Sequence, residues 1–152
     1  MNCQLRPATE SDREFLYALY RDTMRQVVEQ TWGWDEEWQR RAFYGRFRNC
    51  ATSVVELDGN AVGGLLLDWA PAAVDIVELQ ILPEYQGHGI GTAIVQRVIE
   101  DAARQGLAVT LSVVPANPRA RRLYERIGFH VIGVNEPFIR MRYVASERLS
   151  EA

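Results

Sequence analysis

No lysine occurs in this chain, so all 17 of its basic side chains are arginines. A Walker-type phosphate loop, which ends in Gly-Lys-Ser/Thr, is therefore excluded. Cysteine and histidine are almost as scarce, with two of each. Cys3 and Cys50 form no Cys-x-x-Cys pair and have only His88 and His130 beside them, so no metal site is expected. Both cysteines read as ordinary strand residues in a reducing compartment. Positive charge is in deficit: 20 acidic side chains against those 17 give a net charge of -3 and a pI near 5.4. That balance argues against a nucleic-acid partner, which needs a basic surface, and suits a cationic small molecule such as an amine better. Long apolar runs are missing too. Asp68 and Asp75 interrupt the longest one, and Met1 to Arg6 lacks the apolar core of a secretory signal, so a soluble, cytoplasmic protein without a membrane partner is expected.

What is present suffices for a core. At 152 residues, 47% hydrophobic, the chain reads as one domain over 1–152, with no repeat, linker or low-complexity run. Gln4 to Arg6 reads as a strand, followed by a capping-box-like start at Thr9 and Asp12 and a helix whose stripe is Phe15, Leu16, Leu19, Tyr20, Met24, Val27 and Val28. Trp32-Gly33-Trp34 stops it. Asp35 caps a second helix with Glu36 and Glu37 in its first turn and an apolar stripe of Trp38, Ala42 and Phe43. Strands Ser53–Leu57 and Ala61–Trp69 flank the turn Asp58-Gly59-Asn60, and Val74–Leu82 is a third. Thr92–Gln105 is an amphipathic helix leading to the apolar strand Leu107–Val114, a parallel crossover. His130–Val134 and Phe138–Tyr143 are final strands before a polar tail.

Two segments carry chemistry. The first is Gln80 to Thr92, where a strand passes through Gln86-Gly87-His88-Gly89-Ile90-Gly91 straight into a helix. Glycines let the chain bend closely around a ligand. A helix start adds unpaired N–H donors and about half a positive charge, a site suited to a diphosphate. The spacing Gly87-x-Gly89-x-Gly91 differs from the dinucleotide fingerprint Gly-x-Gly-x-x-Gly, which also belongs after the first strand of a βαβ unit. The second is Asn117 to Phe129, a self-contained helix signal with Asn117 as cap, Pro118 at the first position and Gly128 just past the end.

Gln86, Gly89 and Gly91 match the pattern Gln/Arg-x-x-Gly-x-Gly/Ala, and the chain there resembles the coenzyme A pyrophosphate loop of the GNAT superfamily of N-acetyltransferases. Asn117, Ala120, Tyr124, Gly128 and Phe129 fall on that family's signature Asn-x-x-Ala-x-x-x-Tyr/Phe-x-x-x-Gly-Phe. The two motifs stand in the family's order and cover Val74 to Phe129. The resemblance implies an α/β fold with a central mixed sheet of about six or seven strands, mostly antiparallel with a parallel splayed pair, and helices on both faces. It also implies an enzyme that moves an acetyl group from acetyl-CoA directly to a primary amine, on a small molecule or a peptide. In that case Ile81 and Leu82 would pair with the pantetheine arm through main-chain groups, as a peptide joins a sheet edge. The N–H groups from Gln86 through Gly87, His88, Gly89, Ile90 and Gly91 to Thr92 would hold the diphosphate.

Tyr124 matches the family tyrosine facing the cofactor sulfur and is the candidate acid, although Leu123, Ile127 and Phe129 around it also suit a core aromatic. Glu78, inside an apolar strand, is the candidate base or else a solvated strand-face glutamate; Asp75 and Asp68 are substitutes. Asn117 could touch the pantetheine arm as well as cap its helix. Arg119, Arg121 and Arg122 serve cofactor phosphates or simply form a solvated helix face. Trp32 and Trp34 stand where the family builds its acceptor pocket, and aromatic faces attract ammonium groups; Trp38 is expected in the core. A non-catalytic acyl-CoA sensor, a nucleotide-binding protein using the same loop and a structural partner protein are the rival readings. Homodimerisation is compatible with all of them.

Overall fold

The computed structural model describes residues 2–144. The polar tail beyond Val144 lies outside them. In chain order the elements are β1 (Cys3–Pro7), α1 (Arg13–Trp32), α2 (Glu36–Asn49), β2 (Ala51–Leu57), β3 (Asn60–Trp69), β4 (Ala73–Ile81), α3 (Ile90–Arg104), β5 (Ala108–Val113), α4 (Pro118–Ile127), β6 (His130–Asn135) and β7 (Phe138–Tyr143). The sheet order is β1-β2-β3-β4-β5-β7-β6. Strands β4 and β5 pair in parallel, whereas β1–β2, β2–β3, β5–β7 and β6–β7 are antiparallel, in keeping with the mixed sheet that the resemblance implied. Among the described residues no helix is long and apolar enough to cross a membrane.

The chain divides into two compact units. The first comprises Met1–Asp68 and Val77–Gly91. Its core is Leu16, Tyr17, Tyr20, Phe43, Phe47, Val54 and Leu66, with Trp34 and Val77 half-buried against it. Leu16, Tyr20 and Val28 recur at helical spacing, which explains α1. Tyr17, absent from the expected stripe, is only 1% exposed, because its hydroxyl donates to Glu36 at 3.0 Å and so leaves the ring free to pack. In α2 the expected stripe is corrected. Gln39, Phe43 and Phe47 face inward, and Trp38 stands 58% exposed. Burying Gln39 is made cheap by Tyr20, whose hydroxyl donates to its Oε1 at 2.9 Å, and that contact turns the helix one position away from Trp38. Asp35 caps α2 as expected, accepting from the Trp38 N–H at 3.0 Å. Cys50 is likewise not a strand residue: it ends α2, donating its N–H to the Arg46 carbonyl, while Cys3 lies in β1.

Arg6 ties the strand edge to the start of α1. Its guanidinium grips Asp12 at 2.9 and 3.1 Å and Glu56 at 3.1 Å, while Asp12 also accepts the Thr9 N–H at 2.8 Å. The Arg6 bond, then the Thr9 N–H, hold the Asp12 carboxyl down at about 2. The folded chain thus binds this proton less readily than the unfolded one. Its contribution is complete above the ordinary carboxylate range and is lost as pH falls towards about 2. Thermal unfolding of Asp12→Asn should accordingly show a shallower fall in Tm between about pH 5 and about pH 2 than the parent chain.

The second unit comprises Trp69–Ile76 and the residues from Thr92 onward. Ala73–Ile76 pair in parallel with Ala108–Leu111, and β7 pairs with β5 on the other side. Val109, Leu111 and Val113 are buried in β5, and Thr110, also buried, is satisfied by Asp75 at 2.7 Å. The inward face of α3 is Ile94, Val95, Val98 and Ala102, as its spacing requires.

Candidate active site

At the end of β4 a 3-10 turn, Pro83–Tyr85, carries the chain towards the glycines. Tyr85 N–H donates to the Leu82 carbonyl at 2.9 Å and Gln86 N–H to that of Pro83 at 3.2 Å. The Gln86 side chain folds back, its Nε2 donating to the Ile81 carbonyl at 2.9 Å, so a side-chain donor at this position pins the loop to its strand. Gly87 and Gly89 have φ of 79° and 80°, and a Cβ on either would meet no heavy atom within 4 Å. Backbone angle, rather than crowding, therefore demands glycine there, and the surface beside both is open. The exposed His88 ring rests against the turn, Nδ1 3.2 Å from the Tyr85 carbonyl.

The helix α3 begins at Ile90, two residues earlier than the sequence suggests, which places Ile90, Gly91 and Thr92 in its first turn, where main-chain N–H groups have no intrahelical acceptor. That turn carries no acidic side chain. Open glycines, unopposed N–H donors and a helix start are the donor set a diphosphate requires. Ile81 and Leu82 are more committed: Leu82 N–H donates to Val62 at 2.8 Å and the Ile81 carbonyl accepts Gln86.

Glu78 sits on β4 with its side chain only 14% exposed. Arg46 Nε from α2 lies 3.2 Å from Oε2, and Gln80 donates to Oε1 at 2.8 Å. Burial pushes this carboxyl above its usual range, with Arg46 and then Gln80 pulling the other way. The Arg46 guanidinium carbon stands 5.1 Å from the Tyr20 ring centre and 5.6 Å from that of Phe43. Burial, with the Glu78 charge adding to it, raises the Tyr20 phenol too. Glu78 is therefore a buried, charge-paired group, not a solvated strand-face residue. The substitutes fare differently: Asp68 is exposed, and Asp75 is held by Thr110 at 2.7 Å and Arg140 at 3.1 Å.

In the second unit, Asn117 caps α4 by accepting the Ala120 N–H at 3.3 Å, Pro118 follows, and Gly128 ends the helix at φ 123°. Tyr124 is the one buried residue of that helix, its ring meeting Phe129 edge-on at 5.5 Å between centres. Arg119 and Arg122 are exposed and Arg121 pairs with Glu125 at 3.1 Å, within one helix face.

A sequence profile described as "Acetyltransferase (GNAT) family" matches residues 13–129. The chain belongs to the GNAT acetyltransferase family. An uncharacterized N-acetyltransferase of Mycobacterium bovis is 37% identical over 78 residues, 50% of each chain. The mouse thialysine N-epsilon-acetyltransferase is 30% identical over 76 residues, 49% of this chain and 45% of its own. The chain thus spans about half the length of the curated relatives it matches. Among solved structures, the PaiA N-acetyltransferase of Thermoplasma acidophilum in complex with coenzyme A superposes with a TM-score of 0.78 at 16% identity, over 95% of this chain and 99% of that one.

In this GNAT chain the three tryptophans around the α1–α2 connection diverge. Trp32 is 54% exposed at the end of α1. Trp34 packs on the core and donates its indole N–H to Glu36 at 2.7 Å, with the Arg25 guanidinium 5.7 Å from its ring centre. One cation thus already stands beside Trp34. Sequence reasoning missed Arg46, Tyr20 and Gln80 as the surroundings of Glu78. For Gln80 a signal existed, since residues two apart on a strand share a face and Glu78 and Gln80 are both polar in an apolar run.

Proposed function

We propose that this chain is an acetyl-CoA-dependent N-acetyltransferase that moves the acetyl group directly to a primary amine carrying further positive charge. The observation that carries the reading is the loop from Gln86 to Thr92, where two left-handed glycines open onto a helix start free of acids. Acetyl-CoA, when bound, supplies an acyl group on a thioester, an electrophile with a thiolate leaving group.

The chain's own residues must solve two proton problems. An alkylammonium with a pKa of about 10.4 is deprotonated at neutral pH to about one part in 2,500, a cost of roughly 4.6 kcal/mol. Glu78, buried and raised above the usual carboxylate range, is the group we assign to receive that proton, directly or through water. A departing thiolate of pKa about 8.5 gains from a donor of similar or somewhat higher pKa, and Tyr124 is assigned that part. Glu78 takes the ammonium proton before attack. As the nitrogen bonds to the acyl carbon and the carbon–sulfur bond breaks, Tyr124 gives its proton to sulfur, the second nitrogen proton restores the Tyr124 hydroxyl by way of solvent, and Glu78 later releases its proton to water. No cysteine or serine nucleophile adjoins either motif, which favours direct transfer.

The acceptor is drawn from the acidic balance of the chain and from the thialysine enzyme, whose name denotes acetylation of a side-chain amine on a charged amino acid. Trp32, 54% exposed, is the aromatic we assign to meet such an ammonium. Free thiol released from acetyl-CoA, followed across a library of amines, polyamines and amino acids, should appear only with particular cationic amines. Thiol release indifferent to every amine would refute the reading, as would a Tm that responds to ATP or NAD but not to coenzyme A.

A further inference from the structure

We propose that Arg46 is the positioning residue for Glu78, neutralising its charge from beneath two aromatic rings while leaving the oxygen that takes the acceptor's proton uncapped. The inference rests on Glu78 being the base.

Three observations carry it. Arg46 Nε lies 3.2 Å from Glu78 Oε2, yet that N–H makes no aligned hydrogen bond, and Nη2, also buried, makes none either. The contact is therefore one of charge and not of a donor seated on the lone pair. A carboxylate oxygen fully bonded to a guanidinium is a poor base, because protonating it breaks that bond; one that is merely near the cation keeps its lone pair and its charge.

The other carboxylate oxygen, Oε1, is the one tied down, by Gln80 at 2.8 Å, which fixes the plane of the group on β4. The guanidinium in turn is set by Tyr20 and Phe43, 5.1 and 5.6 Å from its carbon to their ring centres, and Tyr20 is itself fixed by its hydroxyl bond to Gln39 at 2.9 Å. The groups facing Glu78 are thus Tyr20 from α1, Arg46 from α2 and the neutral Gln80 from its own strand. Burial raises the carboxyl and Arg46 opposes it, so the cation favours the ionised form of a buried base.

The test uses Arg46→Met, which keeps an apolar stem under the rings, and Arg46→Lys, which returns the charge. With an amine that the wild-type chain acetylates, the acid limb of kcat/KM should move up by about one pH unit or more in Arg46→Met, because burial is then opposed by Gln80 alone. Arg46→Lys should recover most of that shift. A uniform loss of kcat/KM with the limb unmoved would mean that Arg46 merely braces α2 against β4 and would overturn the proposal. Should Arg46→Met fail to fold, Arg46→Gln serves as the neutral variant.

Independently of turnover, 13C NMR titration of glutamate-labelled chain, with Glu78 assigned by Glu78→Gln, should place its midpoint higher in the neutral variant. Equal midpoints overturn the proposal. A midpoint raised in the neutral variant, with a wild-type chain that acetylates no amine, would leave the Arg46–Glu78 coupling standing and refute the transferase reading on which its catalytic part rests.

Discussion

Tyr124→Phe should slow thiol release from acetyl-CoA by about 10²- to 10⁴-fold while leaving the Tm and the KM for acetyl-CoA close to those of the parent chain. The variant keeps the ring that packs against Phe129. Tyr124 is the buried residue of α4 and meets Phe129 edge-on at 5.5 Å, a contact phenylalanine can keep. The group removed is the assigned proton donor. Steady-state kinetics with thermal unfolding on the same preparation separate the outcomes. Unchanged turnover removes Tyr124 from the chemistry and revives a non-catalytic acyl-CoA sensor; a large fall in Tm would instead make the hydroxyl structural.

Gly63→Ala is expected to have the largest effect on stability. A Cβ on Gly63 would stand 2.6 Å from the Gln80 carbonyl oxygen, 2.7 Å from Ile81 Cδ1 and 3.3 Å from Val55 Cβ. The first of these is backbone in the middle of a sheet and cannot swing aside, so β3 and β4 must part locally. Overpacking of this kind costs about 1–3 kcal/mol, or roughly 2–12 °C in Tm. Gly45→Ala on α2 is the control. An added Cβ there meets nothing within 4 Å and the helix gains about 0.5–1 kcal/mol from the better helix former. Because Gln80 steadies Glu78 and Ile81 anchors Gln86, the damage at Gly63 should also weaken coenzyme A binding. Equal melting temperatures for the two variants would contradict the close approach of β3 and β4.

The motifs that made the family legible are local. Asn117, Pro118 and Gly128 specify a helix by capping chemistry that needs no distant partner, and the helix is found between them. Gly87 and Gly89 mark a chain that bends closely, and the structure gives both a positive φ. Alternation and spacing likewise placed the strands and the inward face of α3. Where the reading failed, a side chain's fate depended on something far away in sequence. Trp38 looked like core and Gln39 like surface until Tyr20, 19 residues upstream, offered Gln39 a buried hydrogen bond. Tyr17 was overlooked because its partner, Glu36, also lies 19 residues off.

The sequence alone determined the class of fold and the family, since periodicity, caps and glycine angles act within a few residues of one another. The environment of Glu78 was decided only by the tertiary structure. Its strand could have presented a carboxylate to water; packing brings Arg46 from α2 and Tyr20 from α1 against it, and desolvation and charge pairing arise only when segments 32 or more residues apart come together.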